Sequence, residues 1–171
     1  SYAQAAAMAM GRAMDDVIIA AATGTAYTGE TGATTENVQT AIAASVGTGT
    51  GLNLVKLTTA KRLLDDADVD PSIPRHIIVG PEQLQNLLAV EQVTSSDYNT
   101  VKALVQGEID SYLGFKFTVS NRLAKSGNDR TCIVYAEDGI TLGIGKDISA
   151  RIDERADKSY ATQVYYCQSI G

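Results

Sequence analysis

The sequence predicts an α+β fold, and three observations carry that reading. Over the first two thirds of the chain, apolar residues recur at steps of three and four, the spacing of helices with one buried face. Over the last third, short runs of β-branched and aromatic residues alternate with polar ones, the spacing of strands. The two kinds of segment are segregated, which speaks against a regular βαβ alternation. The chain has 171 residues, 44% hydrophobic and 20% charged, enough for one globular core.

Residues 2–22 read as an alanine-rich helix with Tyr2, Ala6, Met10, Ala13, Val17 and Ala20 on one stripe and Gly24 as the stop. Residues 23–51 are rich in Thr and Gly. They read as connector, apart from a short helix at about 36–46 with Thr35 as its N-cap. Residues 54–68 form the next helix, with Leu54, Leu57, Ala60, Leu64 and Ala67 inward, ended by Asp70-Pro71 and Pro74. Arg75–Val79 is a buried strand between Pro74 and Gly80-Pro81, and Pro81 starts a helix over 81–90. A further helix spans about 99–106 and ends at Gly107. Strands follow at 115–119 and 132–135. Asp138-Gly139 reads as a hairpin turn into 140–144. Two more strands, 148–154 and 159–169, are joined by a charged turn at Glu154–Lys158.

Composition excludes several chemistries. The net charge is −6, which argues against a basic nucleic-acid groove. One histidine cannot build a His-rich metal centre or a His-pair acid–base site. Two cysteines make no disulfide framework. The longest purely apolar run, Val17–Ala22, is far short of the ~20 residues that cross a bilayer, and no basic segment precedes an apolar one as in a signal peptide. The chain starts without an initiator methionine and ends within strand-like sequence, which predicts a piece of a longer polypeptide.

The motifs that imitate chemistry break at their key positions. Gly24 to Thr31 has phosphate-loop spacing, yet Glu30 stands where a lysine must meet phosphate. Gly47-Thr-Gly49-Thr-Gly51 follows no strand and reads as a flexible connector. Asp66-Ala-Asp68-Val-Asp70 starts like a calcium loop. It then puts Pro71 at the turn position and Ile77 where a bidentate glutamate belongs. His76 lacks a nucleophile elbow, and Cys132 and Cys167 lack the other ligands of a zinc site. No catalytic, cofactor-binding or metal-ligating set is therefore expected.

The middle of the chain carries a resemblance. Arg75-His-Ile-Ile-Val-Gly-Pro81-Glu-Gln-Leu84-Gln-Asn-Leu87-Leu88 is followed by Ser96-Asp97-Tyr98, by Lys102-Ala-Leu104-Val-Gln-Gly107-Glu-Ile109 and by Leu113-Gly114-Phe115-Lys-Phe117. In order and spacing these resemble tailed-phage major capsid proteins of the Hong Kong 97 fold. The alanine-rich helix ending Asp15-Asp16-Val17-Ile18-Ile19 and the late Gly139–Gly145 segment share the likeness.

That resemblance implies a long spine helix at 2–22 and an axial domain with a central, mostly antiparallel sheet flanked by helices. Its domain plan is residues 1–74 as part of the peripheral domain with spine helix and connectors, 75–150 as the axial domain, and 151–171 as the return strand. On that resemblance, the family's N-terminal arm, its extended loop and a last peripheral strand are expected to lie outside this sequence. The resemblance also implies a non-enzymatic structural subunit. Hexamers and pentamers would close an icosahedral shell around double-stranded DNA without sequence-specific binding. A scaffolding protein is a further partner, there is no membrane or cofactor, and synthesis is in the host bacterial cytoplasm. The candidate subunit-interface residues are Arg151, Glu154, Arg155 and Lys158 at the charged hairpin tip, with the small-residue face of the first helix beside them. An encapsulin-type nanocompartment shell protein is the alternative within the fold. The alternative outside it is a small enzyme using Asp97 with Glu108.

Overall fold

The computed structural model describes residues 2–37, 39–47, 49, 51–94, 98–107 and 110–171. By contacts the chain forms two units. One joins the N-terminal stretch through Gly24 to residues 141–171, and the other is residues 25–140.

In the larger unit the β-branched run of β3 (Arg75–Val79) is central, with four of its five side chains buried. It lies in a four-stranded sheet of order β4-β5-β3-β8, where β4 is Ser111–Tyr112, β5 is Phe115–Val119 and β8 is Ile133–Ala136. The sheet is antiparallel at β4–β5 and β3–β8, but β3 and β5 run parallel, with Ile77 opposite Phe117. The cause lies between them. α3 (Pro81–Thr94) and α4 (Tyr98–Gln106) carry the chain back to the end where β3 began, and a tight hairpin cannot do that. Ile77, Val79, Tyr112 and Phe115 from the sheet meet Leu57 and Ala60 of α2 (Leu54–Asp66), Leu84 and Leu87 of α3, and Val101 and Leu104 of α4.

α2 shows how local chemistry sets an element's ends. Asn53, 2% exposed, is its N-cap: Oδ1 accepts the Lys56 N–H at 2.9 Å, and Nδ2 donates to the Val46 carbonyl at 3.1 Å. The same side chain lies over Gly47, which has φ +81°; a Cβ there would approach Asn53 Nδ2 to 2.8 Å. This glycine is required by close approach, a stricter role than the flexible connector expected of 47–51. The helix ends before the expected prolines. Asp68 takes φ 56°, its N–H reaches the Asp65 carbonyl, and the Val69 N–H reaches the Leu64 carbonyl. That is a Schellman closure with aspartate in the position glycine usually fills.

Two expectations are corrected. The described residues of 36–46 hold no helix. Thr35 pairs with Tyr27 in a small hairpin of β1 (Ala26–Thr28) and β2 (Thr34–Glu36). Next to it Asn37 accepts the Gln39 N–H at 3.2 Å, a side-chain turn that competes with helix formation. Asp138-Gly139 makes no hairpin either. Residues Glu137–Gly139 form one 3-10 turn, and β8 pairs with β3 because its buried Ile133 fits opposite Ile78. A short hairpin of β6 (Lys125–Ser126) and β7 (Asp129–Arg130) completes the unit.

The other unit holds α1 (Tyr2–Thr23), β9 (Ile144–Arg155) and β10 (Ala161–Ile170). Ala6, Met10, Met14, Val17 and Ile18 are half-buried on α1 and Ile19 is buried, while Tyr2, Ala13 and Ala20 of the expected stripe are exposed. The longer Met14 and Ile18 cover more surface than alanine and set the helix's orientation. The helix stops as expected: Thr23 Oγ1 bonds the Ile19 carbonyl at 2.8 Å and Gly24 follows. β9 and β10 pair antiparallel over their length, and Gly143 and Gly171 exchange backbone hydrogen bonds of 2.7 and 3.0 Å beyond them.

Candidate subunit interface

Register sorts the β9–β10 hairpin into two faces. Cross-strand partners share a face, and alternate residues along a strand share it too. Ile152 lies opposite Val164 and Ala150 opposite Tyr166, so one face is apolar. Arg151 lies opposite Tyr165, Asp153 opposite Gln163 and Ser149 opposite Cys167, so the other is polar. A bulge puts two β9 residues, Asp147 and Ile148, against Gln168. It shifts the alternation by one, and Lys146 thereby joins Ser149, Arg151, Asp153, Gln163 and Tyr165 around a shallow concavity of about 500 Å³.

The four interface residues expected from sequence all lie at the exposed end of this hairpin. Arg151 and Arg155 share the polar face. Glu154, opposite Thr162, is on the apolar one, and Lys158 sits in the 3-10 turn Ala156–Lys158. Arg155 grips Asp157 with a fork, Nε to Oδ1 at 2.9 Å and Nη2 to Oδ2 at 2.5 Å. This bond holds the Asp157 carboxyl below its ordinary range and the guanidinium above its own. After the turn, Ser159 and Tyr160 both take left-handed backbone, φ 54° and 56°, a conformation that costs non-glycine residues about 1 kcal/mol each. Tyr160 is 72% exposed. The apolar Ile152–Val164 pair was not anticipated. Its signal was present in the alternation Ile148-Ala150-Ile152, which marks one apolar face without telling what lies on it.

The other candidate chemistry resolves into packing. A cleft of about 350 Å³ beside Pro71–Arg75 contains Lys61, Asp65 and Arg75, and the buried Arg75 is tied to Asp65. Arg130 and Gln83 close over Gly80 at the start of α3; a Cβ on Gly80 would fall within 2.7 Å of Arg130 Cδ. Beside them burial pushes the Cys132 thiol upward, against the Gly80 backbone bond and the charges of Arg130 and Lys56. His76 stacks on Tyr135 across the sheet, centroids 5.4 Å apart. Of the aspartates that imitate a calcium loop, Asp66 pairs with Arg62 at 2.7 Å and Asp70 accepts the Ser72 N–H at 2.8 Å. Among the described residues no three His, Cys, Asp or Glu side chains gather as metal ligands, and no helix is long and apolar enough to cross a membrane. Asp97 and Glu108 lie outside the described residues.

Comparison with known families gives one result. The family described as phage capsid protein matches residues 1–171. Neither the curated proteins nor the solved structures contain a match. That family is structural and non-enzymatic, and its members assemble into the multi-subunit shell of the virion. With the whole sequence matched, the chain belongs to the phage capsid protein family.

Proposed function

We propose that the chain is the shell-forming subunit of a tailed phage or prophage, built on the Hong Kong 97-like plan. The observation that carries this is the family match over residues 1–171. The long α1, the extended β9–β10 hairpin and the mixed sheet under α2–α4 support the finer assignment. In this reading α1 is the spine helix, the hairpin belongs to the peripheral domain, and the sheet of β3, β4, β5 and β8 belongs to the axial domain.

The mechanism is self-assembly. Copies made in the host cytoplasm, aided by a scaffolding protein, form hexamers and pentamers that close around double-stranded DNA. A net charge of −6 suits enclosure without tight binding, since phosphate contacts need clustered cations. Arg151, Glu154, Arg155 and Lys158 then meet neighbouring subunits at the hairpin tip. There both charge signs can pair across an interface and help fix its register. Negative-stain electron microscopy of the expressed chain, alone and with its phage's other structural proteins, tests the reading. Closed icosahedral particles that protect DNA from nuclease are expected. Monomers under every condition would overturn it.

A further inference from the structure

The cleft beside Pro71–Arg75 lies within the larger unit, with Lys61 and Asp65 of α2, the Pro71–Arg75 segment and Gly114 as its walls. One wall is a charge the fold has taken out of water, since the Arg75 side chain is 7% exposed. Its donors are only partly used. Nη2 serves Asp65 Oδ1 and the Val69 carbonyl. Among the described residues neither Nη1 nor the buried Nε has a hydrogen-bond partner. A guanidinium carries five N–H donors and no acceptor, and buried donors left over cost stability unless something accepts them. Asp65 gives Arg75 one oxygen and stays half exposed, so the two-pronged fit of arginine to carboxylate is not made.

The other walls narrow the choice of acceptor. Lys61, one turn before Asp65, is exposed and has no ion-pair partner among the described residues. Lys61 and Arg75 face Asp65 alone in the cleft, one positive charge in excess. The acids beside it are engaged, Asp66 with Arg62 and Asp70 with the Ser72 N–H. A single negative charge is therefore matched, whereas a doubly charged phosphate exceeds the surplus and meets Asp65. Pro71, Ile73 and Pro74 add apolar surface, and prolines offer no N–H to further oxygens. A volume of about 350 Å³ is at the small end of ligand sites and far below the area a protein partner needs. The chain's −6 gives no attraction at a distance, so contact alone sets the affinity.

We infer that this cleft binds a small organic monocarboxylate. The ligand's carboxylate meets Arg75 and Lys61, and its apolar part lies against Pro71, Ile73 and Pro74. Asp65 holds the guanidinium in place and opposes the ligand's charge, which keeps binding modest and reversible.

The test titrates the wild-type chain with sodium benzoate at constant ionic strength, using ligand-observed NMR, which reads binding whether the chain is dispersed or assembled. Benzamide is the neutral isostere and inorganic phosphate the rival anion. Expected is a Kd of about 1–10 mM for benzoate, with no binding of benzamide and weaker binding of phosphate. Lys61→Met should weaken benzoate by about threefold to fivefold, and Arg75→Met by more. Asp65→Asn keeps an acceptor for Nη2 and removes the opposing charge, so it should tighten benzoate by about threefold. A merely structural Arg75–Asp65 pair predicts no such gain. Melting curves control for folding. Absence of binding up to about 50 mM benzoate would overturn the inference, as would equal binding of benzamide or phosphate. Wild-type affinity in a folded Arg75→Met would overturn it too. If Arg75→Met misfolds, the two α2 variants decide, and a Kd unchanged in either overturns it.

Discussion

Arg75, the first residue of β3, donates from Nη2 to Asp65 Oδ1 on the last turn of α2 at 2.5 Å, and to the Val69 carbonyl at 3.3 Å. The guanidinium is 7% exposed and the carboxylate 48%. The pair ties the Schellman end of α2 to the entry of the central strand. Removing the carboxylate strands a buried cation, which costs more than removing the cation and its need together. Asp65→Ala is expected to lower stability by about 2 kcal/mol, and Arg75→Met by less. Urea unfolding at pH 7 checks both. A larger loss for Arg75→Met would show that the guanidinium's bonds, the one to the Val69 carbonyl included, stabilise the fold more than its burial costs.

Asn53 serves two backbone groups at once, so its variants separate the two roles. Asn53→Asp keeps the acceptor for the Lys56 N–H and loses the donor to Val46. Asn53→Ala loses both, and about 1–2 kcal/mol is expected for the missing cap, with Asp between Ala and wild type. Gly47→Ala meets the same side chain at 2.8 Å and is strained at φ +81°, whereas Gly49, also at +81°, has nothing within 4 Å. Gly49→Ala is therefore expected to cost about 1 kcal/mol from backbone strain alone, and Gly47→Ala distinctly more. Equal thermal shifts for the two would contradict the contact with Asn53.

These residues also show what was readable in advance. Pro74 and Pro81 punctuate a β-branched run, so β3 and the start of α3 were legible from local chemistry. The parallel pairing of Ile77 with Phe117 was not, because it depends on where α3 and α4 return the chain. Thr35 was misplaced as a helix cap because its cross-strand partner Tyr27 outweighs its capping tendency. At the hairpin tip, Arg151, Glu154, Arg155 and Lys158 stood out as a charge run. Sorting them onto opposite faces needed the register, and so did finding Ile152 against Val164.

The tip carries a testable strain. Ser159 holds φ 54° and ψ 40° as the residue that closes the turn after Lys158. Glycine adopts that backbone freely but gives up more entropy on folding. Ser159→Gly is expected to raise stability by about 0.5 kcal/mol, the part of the left-handed penalty left after that entropy loss. Differential scanning calorimetry checks this. Destabilisation would mean that the serine side chain contributes to the turn more than its backbone strain costs.

Cys132 gives the pH dependence. Burial pushes its thiol above the ordinary value, with the Gly80 bond and the Arg130 and Lys56 charges only partly opposing. The folded chain then keeps a proton that the unfolded chain releases near pH 8.5. Stability from this group is intact below that pH and falls as pH rises towards the raised native value, because the unfolded state binds fewer protons across that window. The difference in unfolding free energy between wild type and Cys132→Ala is expected to be constant from pH 6 to about 8. Above that it should shift in favour of the variant, which has no thiol to keep protonated. Urea unfolding of both proteins across that range measures it, with other titrating groups cancelling in the comparison. A difference independent of pH up to 10 would show that the folded thiolate is held as well as the unfolded one, and that the Gly80 bond, Arg130 and Lys56 fully offset burial.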